Sequence, residues 1–242
     1  MKVLCIIPVF NEELRLPALL KDIIEFKKIN KFNIEFLIIN NGSTDDSLNM
    51  IKSSTINYIS LKKNKGIGYS LLLGLKIGSK NKYDTLIHMA GNNKMSPFDL
   101  DKVLKPIFFE KVDYVSGTRF GLKKNFENNP LFRKISIRIL SLFFSIVFKR
   151  KITDATCGFR AMKINKIINN FKLFNKKKFY TYGYEYYSYG KILLSKNIKS
   201  CEVDVKMNYP KDGKYSKIRP IIDWYPIIFG YLEAFVDRKK LI

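Results

Sequence analysis

The chain has 242 residues, 46% of them hydrophobic, which suits one substantial core rather than two small ones. Lys and Arg number 44 against 21 Asp and Glu, so a formal charge of +23 must be solvated or met by something anionic: nucleic acid, a phosphorylated ligand or an acidic membrane surface. Cys5, Cys157 and Cys201 stand far apart with no CxxC pair and only one His accompanies them, which argues against a disulfide scaffold and a structural zinc and fits a reducing compartment.

The N-terminal "KVLCIIPVF" is too short in its apolar stretch for a signal peptide and reads as a buried strand. The segment "EELRLPALLKDIIEFKKI" follows as a helix, with Leu16, Leu19, Leu20, Ile23 and Ile24 at helical spacing. Then come strand "NIEFLIIN", a turn opening a helix in "NGSTDDSLNMIKS", strand "INYISL", helix "GYSLLLGLKIGSK" and strand "DTLIHMA". Ser96 and Pro97 read as the cap and first residue of the next helix, "PFDLDKVLKPIFF", and "VDYVSG" as a fifth strand. Such alternation implies an α/β fold, a mostly parallel sheet with helices on both faces. Ligands bind outside the carboxyl ends of such strands, where "PVFNEE", "NNGSTDD" and "AGNNK" should gather. Gly66, Gly68 and Gly74 are misplaced for a dinucleotide fingerprint, and no GxxxxGK[ST] occurs.

After Arg119 the pattern changes. In "NPLFRKISIRILSLFFSIVFKRK" a narrow polar stripe (Lys134, Arg138, Ser141, Ser145, Lys149) runs along an otherwise apolar helix with no acidic residue. Two readings stand: a core helix with snorkelling ends, or an amphipathic interfacial helix at about residues 131–149 lying on a membrane. Six bases meeting an anionic leaflet would contribute at most ~6 kcal/mol, sufficient for docking but not insertion. No apolar run reaches about 18 residues without a charge or Pro, so no spanning helix is expected. "TDATCGFRAMK" reads as a polar turn, "FYTYGYEYYSYG" as an aromatic stretch, "YYSYGKILLSKN" as a helix and "KSCEVDVKMNY" as an edge strand. A basic loop, "PKDGKYSKIRP", precedes an amphipathic tail at 221–242 broken by Pro226, leaving 1–220 as the main domain.

The segments "IIPVFNEE", "NNGSTDDS", "NKGIGYSLLLGL", "SGTRF", "DATCGFRAMK" and "GKYSK" stand in the order found in family 2 glycosyltransferases of the GT-A (Rossmann-like) fold. Over residues 2 to 220 the chain most resembles the dolichol- and polyprenyl-phosphate sugar synthases. The resemblance implies a nucleoside diphosphate sugar across the strand ends, with Pro8, Phe10 and Glu12 flanking the nucleotide. Asn40 and Asn41 fall where the family carries paired aspartates; an amide can still accept a base N–H but adds a donor and loses the charge. On the residues alone, Asn41-Gly42 is a turn.

Ala90, Gly91 and Asn92 occupy the position of the family's D-x-D, whose carboxylates hold a divalent ion against the donor. Two routes follow. Asn92 could serve as a neutral ligand to Mg2+ or Mn2+, weaker than two aspartates. Alternatively, Lys94 together with Lys214 and Lys217 of "GKYSK" could neutralise the leaving diphosphate. Of the two, the resemblance favours the metal. Arg119 and Arg133 match positions that bind an acceptor phosphate. Asp154 matches the active-site aspartate, orienting the acceptor or acting as base, with a turn cap as its plain structural alternative. Glu185 would be a further acid or a contact to the donor sugar.

The implied function is sugar transfer to polyprenyl phosphate by an enzyme peripheral to the cytoplasmic membrane face. The alternatives are a hydroxyl acceptor in surface polysaccharide synthesis and a non-catalytic sugar-nucleotide binder. Nucleic acid is not an expected partner: zinc-finger spacing, an aromatic RNP pattern and a basic helix with a dimer seam are all missing.

Overall fold

A computed structural model describes residues 1–121, 131–209 and 224–239. Lys214 and Lys217, with the rest of the basic loop, lie outside the described residues.

The first half alternates as its hydrophobic periodicity predicts. β1 (Val3–Val9) leads to α1 (Leu16–Ile29), β2 (Ile34–Asn40), α2 (Ser47–Lys52), β3 (Asn57–Ser60), α3 (Ile67–Lys80) and β4 (Thr85–His88). A single 3-10 turn at Pro97–Asp99, capped by the Ser96 hydroxyl accepting the Phe98 N–H, opens α4 (Leu100–Phe109), and β5 (Tyr114–Thr118) follows. The second half holds α5 (Leu131–Phe148), β6 (Arg160–Lys163), the short turns α6 (Ile164–Ile167) and α7 (Phe171–Phe174), α8 (Gly183–Leu194), β7 (Ser200–Asp204) and α9 (Trp224–Val236).

One seven-stranded sheet orders these as β3-β2-β1-β4-β6-β5-β7. Strand alternation splits the core in two. Val3, Cys5, Ile7 and Val9 face α1 and α4, whereas Leu4 and Ile6 face α3 and α8. β6 alone runs against the rest, pairing antiparallel with both β4 and β5. The segment "TDATCGFRAMK" is therefore a turn only up to Phe159. Its last four residues, with a charge at each end and no alternating apolar run, hide a strand whose pairing is entirely long-range. The carboxyl ends of β1, β2, β4 and β5 then share an edge with the entrance to β6.

Pro226 does not break the tail. It sits in the first turn of α9, where a missing N–H costs nothing, and α9 packs along α8 with Tyr231 fully buried.

α5 is neither a core helix nor a conventional surface helix. Ile137, Ser141, Phe144 and Phe148 face inward, and two serines of the supposed polar stripe tie down the following loop. Ser141 Oγ accepts the Ala155 N–H at 2.9 Å, and Ser145 Oγ accepts the Ile152 N–H at 3.0 Å. The outward side carries Phe132, Ile139 and Ile146 at 70%, 64% and 69% exposure. The exposed side is thus far more apolar than that of a water-facing helix, although Arg138 is exposed with it. Trp224 of α9 stacks beside Phe132 with ring centroids 6.5 Å apart, extending that apolar face. No helix among the described residues is long and apolar enough to cross a membrane.

Candidate active site

The shared strand edge opens into a cleft of about 770 Å³, the size of a small-molecule site. Its first wall is built by turns after β1, β2 and β4. Asn11 Oδ1 accepts the Thr44 N–H (2.8 Å) and Ser47 Oγ accepts the Glu12 N–H (2.8 Å), zipping the first two turns together. Asn40 donates to Ser60 Oγ (2.8 Å) and accepts the Ser43 N–H (3.1 Å). Asn41 donates to Asn64 Oδ1 and accepts the Lys65 N–H, both at 3.0 Å. Pro8, Phe10, Glu12 and Asn41 line the cleft. Asn40, 1% exposed with both ends of its amide used to pin neighbouring turns, does not.

The turn after β4 hugs β1. The Gly91 N–H donates to the Pro8 carbonyl, and a Cβ at Gly91 would lie 2.6 Å from Val9 Cγ2, so any side chain would push the turn off its strand. Asn93 takes the left-handed conformation (φ 53°) that asparagine tolerates. The bend carries Asn92 and Lys94 into the cleft. Asn92 Oδ1 accepts the Lys94 N–H at 3.3 Å, and the Lys94 carbonyl accepts the Asn208 N–H at 2.8 Å.

The opposite wall is charged. Arg119, just beyond β5, grips Asp154 through Nε (2.6 Å), NH2 (2.6 Å) and its own backbone N–H (3.1 Å). It also donates to Thr156 Oγ1 (2.6 Å) and the Tyr209 hydroxyl (2.7 Å). Burial alone would lift Asp154's carboxyl and depress the guanidinium. Pairing wins, holding Asp154 below the usual carboxylate range and Arg119 well above the usual arginine value. Asp154 is fully buried and absent from the cleft lining, so its carboxylate is turned to Arg119 rather than to bound substrate. Glu202 of β7 secures the same loop, accepting from the Thr153 N–H (2.9 Å), the Thr153 hydroxyl (2.6 Å) and the Asp154 N–H (3.3 Å).

Arg133, in the first turn of α5, lines the cleft with its guanidinium 5.7 Å from the centre of the Tyr209 ring. Lys94 Nζ lies 5.8 Å from the same ring. Burial, then Arg133, Arg15 and Arg119, push the Lys94 ammonium down to about 8, with Glu12 working the other way. Glu185 on α8 also faces the cleft; burial raises its carboxyl, opposed by Arg160. Arg160 is itself buried beneath α8, 4.4 Å from the Tyr189 ring and 5.7 Å from the Tyr186 ring, so the tyrosine-rich helix seats a cation as well as packing the sheet.

Sequence reasoning missed Tyr209, Thr156 and Glu202. Tyr209 lies in "KMNY", which reads only as the end of an edge strand; its role comes from the bridge between Met95 and Met207 that draws this segment across the cleft.

The residues at the D-x-D position do not fit a divalent ion. Asn92 is the only side-chain oxygen the Ala90–Asn92 triplet offers, and that oxygen already caps its own turn. Lys94 brings an ammonium to the same place, and no group of three or more His, Cys, Asp or Glu among the described residues could hold a metal.

Comparison with known proteins agrees with this architecture. The profile for glycosyl transferase family 2 matches residues 4–183. Dolichyl-phosphate beta-glucosyltransferase of Dictyostelium discoideum is 28% identical over 64% of this chain and 52% of its own length. UDP-N-acetylglucosamine--dolichyl-phosphate N-acetylglucosaminyltransferase of Methanococcus voltae is 25% identical over 64% of this chain and 67% of its own. Among solved structures, glucosyl-3-phosphoglycerate synthase of Mycobacterium tuberculosis, in complex with Mn2+, UDP and glucosyl-3-phosphoglycerate, superposes on 100% of this chain and 81% of that one (TM-score 0.69, 13% identity). That likeness establishes a GT-A fold. With turns and cations gathered at one strand edge and the profile spanning most of the sheet, the chain belongs to glycosyl transferase family 2 and is a glycosyltransferase similar to the polyprenyl-phosphate sugar transferases.

Proposed function

We propose that the enzyme moves a sugar from a nucleoside diphosphate sugar to a polyprenyl phosphate, working peripherally at the cytoplasmic face of a membrane. The observation that carries this reading is the double duty of α5. Its first turn sends Arg133 into the cleft, while its outer side presents Phe132, Ile139 and Ile146 to the surroundings. An acceptor with an anionic head and an apolar tail matches both sides of that one helix. The names of the Dictyostelium and Methanococcus relatives support the same acceptor class.

In this reading the nucleotide lies along Pro8, Phe10, Glu12 and Asn41, and Asn40 holds the turn beneath them. Lys214 and Lys217 keep the diphosphate role that their motif implies. Arg133 and Arg119 receive the acceptor phosphate. A phosphate oxygen is already anionic, so attack at the sugar needs no strong base. Asp154 then acts as a positioning residue, fixing the Arg119 guanidinium through two side-chain bonds.

The test supplies the full chain with radiolabelled UDP-glucose, UDP-N-acetylglucosamine or GDP-mannose and undecaprenyl or dolichyl phosphate in anionic vesicles. Label from one donor should enter the organic phase, and the protein should float with the vesicles. Product appearing only in an aqueous glycan fraction would overturn the acceptor assignment. Glu185 gives that second reading its footing: a Cβ at Gly158 would lie 3.0 Å from its Oε1, so the carboxyl overlooks the cleft where a hydroxyl acceptor would need a proton taken. Glu185→Gln should spare transfer to a lipid phosphate and abolish transfer to a hydroxyl.

A further inference from the structure

We infer that the donor's diphosphate is held and discharged by Lys94, one of the cations gathered around Tyr209, not by a divalent metal ion. This rests on the donor half of the function proposed above. Three elements each bring one cation to that ring. Lys94 comes from the turn after β4 and Arg133 from α5, at 5.8 and 5.7 Å from the ring centre, within the range of cation–π attraction. Arg119 comes from the end of β5 and donates to the ring's hydroxyl at 2.7 Å. Asp154 is committed to Arg119, whereas Lys94 and Arg133 present their charge to the cleft.

A divalent ion entering here would add a like charge beside an ammonium only 8% exposed to water, with a single amide oxygen at the D-x-D position to hold it. A diphosphate adds the opposite charge to the same place. Tyr209 is the organising group: it has no charge of its own to neutralise the cations, yet its π face lets them approach one another.

The step balances without a metal. The bond between the sugar's anomeric carbon and the β-phosphate oxygen breaks with its electron pair staying on that oxygen. The acceptor oxygen forms the new bond from the opposite side. The charge that grows on the departing diphosphate is met by the Lys94 ammonium, already oriented, while Arg133 and Arg119 keep the acceptor phosphate. When the acceptor is a phosphate dianion, no proton need move.

Calorimetric titration of the full chain with UDP, GDP and dTDP, each in EDTA, Mg2+ and Mn2+, tests this. One nucleotide should bind with the same affinity in all three buffers. Lys94→Met should weaken it about ten- to a hundredfold in EDTA, the scale of a lost charge-assisted contact, and Mg2+ should not restore it. The double variant Ala90→Asp/Asn92→Asp, with both carboxylates in place, should bind more weakly in EDTA and recover with Mn2+. Binding that requires Mg2+ or Mn2+ in the native chain would overturn this inference and leave the donor reading standing. Binding of no nucleotide in any buffer would overturn both. Lys94→Met that is folded, by an unchanged circular dichroism melt, and binds at native strength would also overturn it.

Discussion

The two walls of the cleft are held by different physics. The wall after β1, β2 and β4 is fastened by short neutral side chains, Asn11, Asn40, Asn41 and Ser47, bonded to backbone N–H groups a turn away in space. The facing wall is fastened by ions: Asp154 against Arg119, Glu202 on the loop between them, and Arg160 under the tyrosines of α8. Many small contacts in the first wall share the load, so each is replaceable. In the second wall Asp154 and Arg119 form a buried ion pair, and losing either one strands the other's charge.

The largest expected effect breaks the charged wall. Asp154→Asn leaves a buried guanidinium without its carboxylate and should destabilise the protein by roughly 3–5 kcal/mol, read from urea unfolding. Tyr209→Phe keeps the ring and removes one bond to Arg119, so about 1.5–3 kcal/mol should disappear, appearing as weaker acceptor binding as well as lower stability. Asn41→Ala on the neutral wall should cost only about 1 kcal/mol, because the Asn64 side chain and the Lys65 N–H can turn to water.

Acid sharpens the contrast. Asp154's carboxyl is held below its ordinary value, so its contribution is complete above that value and drains away as pH falls through it toward the lower native one. The stability gap between the native chain and Asp154→Asn should therefore shrink below about pH 4, whereas the gap to Asn41→Ala should not. Smallest of all, Ile139→Ser and Ile146→Ser on the outward face of α5 should change stability by less than about 0.5 kcal/mol. The same pair should reduce flotation with anionic vesicles; undiminished flotation would remove α5 from the docking surface.

The same contrast decides what the sequence reveals. Strand–helix alternation and strand-end turns are local, so Pro8, Phe10, Glu12, Asn41, Asn92 and Lys94 could be assigned to one edge from spacing alone. Partnerships on the charged wall join residues far apart in the chain: Arg119 with Tyr209, Thr153 with Glu202. No periodicity records such pairs. β6 escapes notice for the same reason, since four residues bounded by Arg160 and Lys163 become a strand only between neighbours that the rest of the chain supplies. In α5 the composition was legible but the orientation was not. Ser141 and Ser145 mark a polar stripe in any helical wheel, and only the loop at 152–155 shows that these two serines point inward.

The reversed strand also separates the two walls of the cleft along the chain. β6 meets the cleft at its entrance, so the loop from Lys149 to Phe159 arrives from α5, shapes the charged wall and leaves along a strand heading away from it. The pairing of β1 with β2 and β4 is made by residues outside that loop, so the two walls of the cleft are built from separate stretches of chain.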